Sequence, residues 1–70
     1  MLKLYCVILG ITNGSYYYTD DQHLIAETDE EAWTKANDYI NRQNGKNRHI
    51  KVESVSEISS VDGHRIVVQE

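Results

Sequence analysis

Residues Thr28 to Asn44 read TDEEAWTKANDYINRQN, and this stretch decides the fold because its helical period is unambiguous. Thr28-Asp-Glu-Glu31 has the form of a capping box: the Thr28 hydroxyl accepts from the amide three residues on, and Glu31 reaches back to the Thr28 amide. Asp29, Glu30 and Glu31 then lie in the first turn, where the helix dipole favours negative charge. At 100° per residue, Ala32, Trp33, Ala36, Tyr39, Ile40 and Gln43 fall on an arc of about 120°, while Thr34, Lys35, Asp38, Asn41 and Arg42 face away. The pattern predicts one helix over Asp29–Asn44, anchored by Trp33 and ended by a left-handed residue at Asn44-Gly45. A single apolar stripe calls for a single layer beneath it.

That layer reads as strands on either side of the helix. Upstream, Asn13-Gly14 between apolar runs is a type I′ hairpin signal, since both residues tolerate positive φ, and it joins strands over Leu2–Thr12 and Ser15–Glu27. A strict two-residue turn pairs Leu9 with Tyr18 and Ile11 with Tyr16. Carried further, it sends Leu24 and Ala26 to the face opposite Leu2, Leu4, Cys6 and Ile8. With that even-numbered series taken as the helix-facing one, a bulge at Asp20-Asp21-Gln22 is expected to bring Leu24 and Ala26 back. Downstream, His49–Ile58 and His64–Gln69 are rich in β-branched residues and flank Asp62-Gly63, a second type I′ signal. The expected architecture is α+β, a single domain over residues 1–70: one antiparallel sheet of about four strands in the order ββαββ, with one helix on one face.

A chain of 70 residues is short for a self-sufficient core, and such chains commonly draw on disulfides, a metal or an oligomeric contact. The single cysteine excludes an internal disulfide. Cys6 sits in an apolar run and reads as a small buried hydrophobe, and the cysteine count suits a reducing compartment, so a cytoplasmic location is expected. The apolar stretch at residues 1–9 contains Lys3, lacks a small-residue cleavage site and runs into turn residues, which makes it a strand rather than a signal segment. It is also far short of the roughly 20 residues that a membrane-spanning helix needs.

In the first strand the odd positions are as apolar as the even ones, although a solvated sheet face reads polar. Tyr5, Val7, Leu9 and Ile11, joined through the turn by Tyr16 and Tyr18, therefore form the expected protein interface, with homodimerisation its leading use. The alternative is that strand twist and the 20–23 segment cover this face within one molecule.

Charge is distributed unevenly. Six carboxylates and no lysine or arginine lie between Asp20 and Glu31, whereas Arg42, Lys46, Arg48 and Lys51 form a basic cluster. Helix-dipole complementarity accounts for part of this. The acidic residues Asp20, Asp21, Glu30 and Glu31 also suit a basic groove on a partner. A net charge of −4 and a pI near 5.2 are the wrong sign for a direct nucleic-acid binder.

No catalytic, metal or cofactor site is expected. His23, His49 and His64 lack the short spacing of zinc ligands, and Asp20-Asp21 lacks the further oxygen donors of a calcium loop. No phosphate-binding glycine loop or nucleophile elbow is present. A small histidine-based metal or enzyme site, or Cys6 paired with a histidine, is the remaining chemical alternative.

The run Ala26-Glu-Thr-Asp-Glu-Glu-Ala32, continued by Ala36 and by Ile50-Lys-Val52, resembles the strand, capped helix and strand junction of small phage and mobile-element ββαββ proteins of the anti-CRISPR type. The resemblance covers residues 22–52. It implies a non-enzymatic inhibitor that docks on a nucleic-acid-handling complex, and it transfers no individual site residue.

Overall fold

The computed structural model describes residues 1–44 and 48–69. It contains β1 (Lys3–Asn13), β2 (Tyr16–Ala26), α1 (Asp29–Gln43), β3 (Arg48–Glu57), β4 (Ser60–Val61) and β5 (His64–Arg65). The first three strands form an antiparallel sheet in the order β2-β1-β3, and β4-β5 form a separate two-stranded ribbon. The fold is α+β with one helix in a ββαββ-like order. The main sheet has three strands rather than four because, of the expected final strand His64–Gln69, His64 and Arg65 pair with β4 and the Ile66 amide donates to the Ser59 carbonyl at 2.8 Å, away from the main sheet. Asp62 and Gly63, at φ 54° and 79°, make the turn between them, the positive pair that a type I′ turn requires.

The β1-β2 hairpin closes one residue later than expected. Asn13 pairs with Tyr16, so Gly14 and Ser15 are the loop, and only Gly14 (φ 63°) is left-handed, as in a type II′ rather than a type I′ turn. From there to Lys3↔Ala26 the register is unbroken; no bulge occurs at Asp20-Asp21-Gln22. None is needed, because the helix covers the opposite face of β1 from the one expected. Tyr5, Val7, Leu9 and Ile11 are the buried series, and Leu24 and Ala26 join them by simple alternation.

The register irregularity lies in β3. Ile8 pairs with Ser54 and Leu9 with Val52, leaving Glu53 as an extra residue. The extra residue shifts the parity of β3, so that Ile50, Val52 and Val55 all reach the helix side, opposite Ile11, Leu9 and Val7.

The helix begins as expected: the Thr28 hydroxyl accepts from the Glu31 amide at 3.1 Å. The Glu31 carboxylate is turned to Lys35 Nζ at 3.3 Å. Ala32, Ala36 and Ile40 form the buried line, and two alanines let the helix lie close over Tyr5 and Val7. Trp33 is not the anchor; it is 41% exposed, one position round the helix from the line that carries the contacts. The Tyr5 hydroxyl donates to Asp29 Oδ1 at 2.8 Å, tying the central strand to the first helical turn. Asn44 is extended rather than left-handed, and its Oδ1 accepts from the Ile50 amide at 2.8 Å. Gly45 lies outside the described residues.

Candidate protein interface

On the side away from α1, alternation places Leu4, Cys6, Ile8, Gly10 and Thr12 of β1 in a central row. Ile25, His23, Asp21, Thr19 and Tyr17 stand beside them on β2, and Ser56, Ser54, Lys51 and His49 on β3. Leu4, Cys6 and Ile8 are half-buried by these neighbours, and Ile25 is exposed. No second helix or sheet lies over the row among the described residues. The segment from Ile66 to Val68 flanks only its Leu4 end, across a cleft shared with Leu2 and Ile58.

The Gly10 end of the row is closed by polar groups. The Tyr17 hydroxyl donates to Glu53 Oε1 at 2.7 Å, and Lys51 Nζ lies 3.5 Å from the same oxygen. This link passes directly over Gly10, where an added Cβ would sit 2.7 Å from the Tyr17 hydroxyl and against the Glu53 carboxylate. The bulge at Glu53 thus moves Val52 and Val55 to the core and presents its own carboxylate to the open side. The bond to the carboxylate, then partial burial, raises the Tyr17 pKa above its usual value. The same bond holds the Glu53 carboxyl below its ordinary range, with Lys51 adding to the effect.

Of the residues expected to form the interface, Tyr5, Val7, Leu9 and Ile11 are sealed beneath the helix within one molecule, at 0, 1, 2 and 6% exposure. They are core, not contact surface. The physical reason is that both sides of β1 are apolar, so the strand alone does not choose its core side; the flanking strands do. Tyr16 and Tyr18 share that side by register, opposite Asn13 and Ile11 at the hairpin end, and are exposed. Cys6 likewise lies on the open side rather than beneath the helix, directly opposite His23.

The charged sets are divided. Asp20 and Asp21 alternate to opposite faces of β2, while Glu30 and Glu31 belong to the first helical turn. Arg42 donates to the Asp38 carbonyl and Arg48 to the Gln43 carbonyl, serving the C-terminal end of the helix, whereas Lys51 joins Glu53 on the open side. Lys46 lies outside the described residues. His49 is opposite Thr12, and His64 is in the separate ribbon. Among the described residues no three His, Cys, Asp or Glu side chains are grouped to hold a metal ion. No described helix is long and apolar enough to cross a membrane.

The sequence reasoning missed Leu4, Cys6, Ile8, Ile25 and Tyr17 as surface. The signal was there in Gly10 and Thr12, which interrupt the even series while the odd one stays apolar through Ile11. The spacing Ile50, Val52, Val55 also carries the mark of a bulge. On the helix side, a groove of about 430 Å³ runs between α1 and β2, floored by Val7, Leu9, Leu24 and Ala36 and rimmed by Lys35 and Arg42. No protein-family model, curated protein or solved structure matches the chain, so no relative supplies a function for either surface.

Proposed function

We propose that the chain is a small non-enzymatic protein-interaction domain that self-associates through the sheet face opposite the helix. The observation that carries this reading is the uncovered apolar row Leu4, Cys6 and Ile8, extended sideways by Ile25. A sheet face in permanent contact with water would carry polar residues at these positions.

The molecule's dimensions support it. Its accessible surface is 5182 Å², where a folded monomer of 8.1 kDa has about 4500 Å² by the usual mass scaling. Its radius of gyration is 13.6 Å, against about 11 Å for a compact chain of this length.

Sedimentation equilibrium of the wild type and of Ile8→Lys over a wide concentration range tests the proposal. A charge at the centre of the row should remove one association step and leave the circular dichroism spectrum unchanged. A wild type that stays monomeric to high micromolar concentration, or association indifferent to Ile8→Lys, overturns it.

A further inference from the structure

A second unused contact lies on the outer side of β2. In the order β2-β1-β3 only β1 is paired along both sides. β2 runs for 11 residues with no bulge against β1 and contains no proline, lysine or arginine; of the devices that ordinarily blunt a long edge strand it carries only the charges of Asp20 and Asp21. The groove beside α1 leaves its flank at Gln22 and Leu24 open.

The hairpin determines which groups this edge offers. The pair that flanks a two-residue loop, here Asn13 and Tyr16, exchanges its backbone hydrogen bonds within the hairpin. Even-numbered residues of β2 therefore bond to β1, while Tyr17, Thr19, Asp21, His23 and Ile25 direct their N–H and C=O groups outward; at the far end the Ile25 carbonyl accepts from Lys35 Nζ at 2.7 Å, so the pairing edge is the stretch from Tyr17 to His23.

We propose that β2 pairs antiparallel with β2 of a second copy about a two-fold axis at Gln22, joining two three-stranded sheets into one continuous sheet. In this register each Asp21 lies opposite His23 of the other copy, Thr19 lies opposite Ile25, and the two Gln22 amides meet on the axis. Axes at Asp20 or Asp21 bring carboxylate against carboxylate, which is unfavourable between directly opposed residues. An axis at His23 leaves Asp21 facing Ile25. Hydrogen-bond complementarity between the Asp21 carboxylate and the His23 imidazole thus favours the Gln22 register over these neighbours. The two-fold axis is normal to the sheet, so both helices lie on one side and both open faces on the other. This contact uses the backbone edge of β2 rather than the open face, although Asp21 and His23 stand beside Ile8 and Cys6 on that face, and the two contacts together carry assembly beyond a dimer.

Disulfide trapping tests the register in a Cys6→Ser, Leu4→Lys background, which removes the native thiol and charges the open face opposite Ile25, away from Asp21. Residue 22 opposes itself as a non-hydrogen-bonded pair with Cα atoms about 4.5 Å apart, within disulfide reach. Gln22→Cys should oxidise to a covalent dimer at least tenfold faster than Leu24→Cys, which opposes Asp20 instead. Asp21→Pro removes only an outward N–H and should abolish trapping at residue 22 with the fold retained. Should that variant fail to fold, Asp21→Lys should slow trapping, and exchanging the pair as Asp21→His with His23→Asp should preserve it. Equal oxidation rates at residues 22 and 24, or trapping indifferent to Asp21→Lys, overturn the edge pairing. If all wild-type association is lost in Leu4→Lys as well as in Ile8→Lys, the open-face reading stands and the edge pairing falls. Trapping at residue 22 with no step lost in Ile8→Lys upholds the edge pairing and removes the open-face contact.

Discussion

Adjacent residues Ile8 and Leu9 give a direct measure of which side of the sheet is the core. Leu9 is 2% exposed and belongs to the cluster of Val7, Ile11, Ala36, Ile40 and Ile50, with Val52 packed against it. Truncation to alanine removes its transfer free energy and leaves a cavity. The helix contributes Ala36 and Ile40 to that cluster, and the alanine has no side-chain length with which to fill the space. A loss of about 3 kcal/mol follows, within the ~2–5 kcal/mol observed for buried leucines. A 70-residue chain has roughly 3.5–10 kcal/mol in all, so Leu9→Ala should lie near the unfolding threshold. Ile8 is half-buried on the open side, and Ile8→Ala should cost about 1 kcal/mol or less, as is usual away from the core. Urea unfolding followed by far-ultraviolet circular dichroism, at a protein concentration low enough to suppress association, reads both. With a slope of about 1 kcal/mol/M for so small a chain, the two midpoints should differ by about 2 M. Equal losses, or a greater loss at Ile8, would refute the assignment of faces.

Other perturbations test local links. Tyr5 is pushed up to about 12, chiefly by burial and then by its bond to Asp29. Because its folded value lies above the unfolded value near 10, its contribution is complete below pH 10 and is lost as pH rises through about 12. Tyr5→Phe should lower the urea midpoint at neutral pH and flatten that alkaline loss, as stability measured from pH 9 to 12 would show. Glu53→Gln should bring Tyr17 back toward an ordinary tyrosine titration, read by NMR of ring-labelled tyrosine; an unchanged titration would mean that the link over Gly10 does not form in solution. Glu53 is depressed in the folded state, so its own contribution is present above its unfolded pKa and disappears as pH falls through the lower folded value. Thr28→Ala, which deletes the acceptor for the Glu31 amide, should cost about 1 kcal/mol, with Thr28→Ser largely restoring it.

The helix was legible because its start is written in local chemistry: a hydroxyl at Thr28, carboxylates after it, and alanines at the spacing of one face. Its anchor was not. Trp33 is the largest apolar side chain on the predicted arc, but size does not decide depth when the approach distance is set by Ala32 and Ala36. The second turn was legible for the same local reason as the helix, since Asp62-Gly63 needs nothing beyond its own two residues. The orientation of the sheet depended on partners distant in sequence. The first strand is apolar on both sides from Leu4 to Leu9, and the two are distinguished by the interruption of the even series at Gly10 and Thr12, by the alternation of Leu24 and Ala26 in β2 and by the broken spacing of Ile50, Val52 and Val55 in β3. An expected bulge in β2 compensated for the wrong choice of side, when the irregularity belonged to the other neighbour of β1.

The same topology that hides Val7 and Leu9 leaves the chain thin. Its dimensions are 40 × 24 × 15 Å, and stacked layers in proteins lie about 10 Å apart, so there is depth for one sheet and one helix and no third layer. A single helix can bury one side of three strands, and the row Leu4, Cys6 and Ile8 then depends on neighbouring side chains for cover. On the β3 side those neighbours are Ser54 and Ser56, too short to reach across. Tyr17 and Glu53 supply cover only at Gly10, where the absence of a side chain gives them room. The polar closure of one end and the apolar exposure of the other therefore have one origin, the interruption of the even series of β1 at Gly10. Among the described residues Leu4, Cys6 and Ile8 keep only the partial cover of their strand neighbours, and this is the feature on which the proposed association rests.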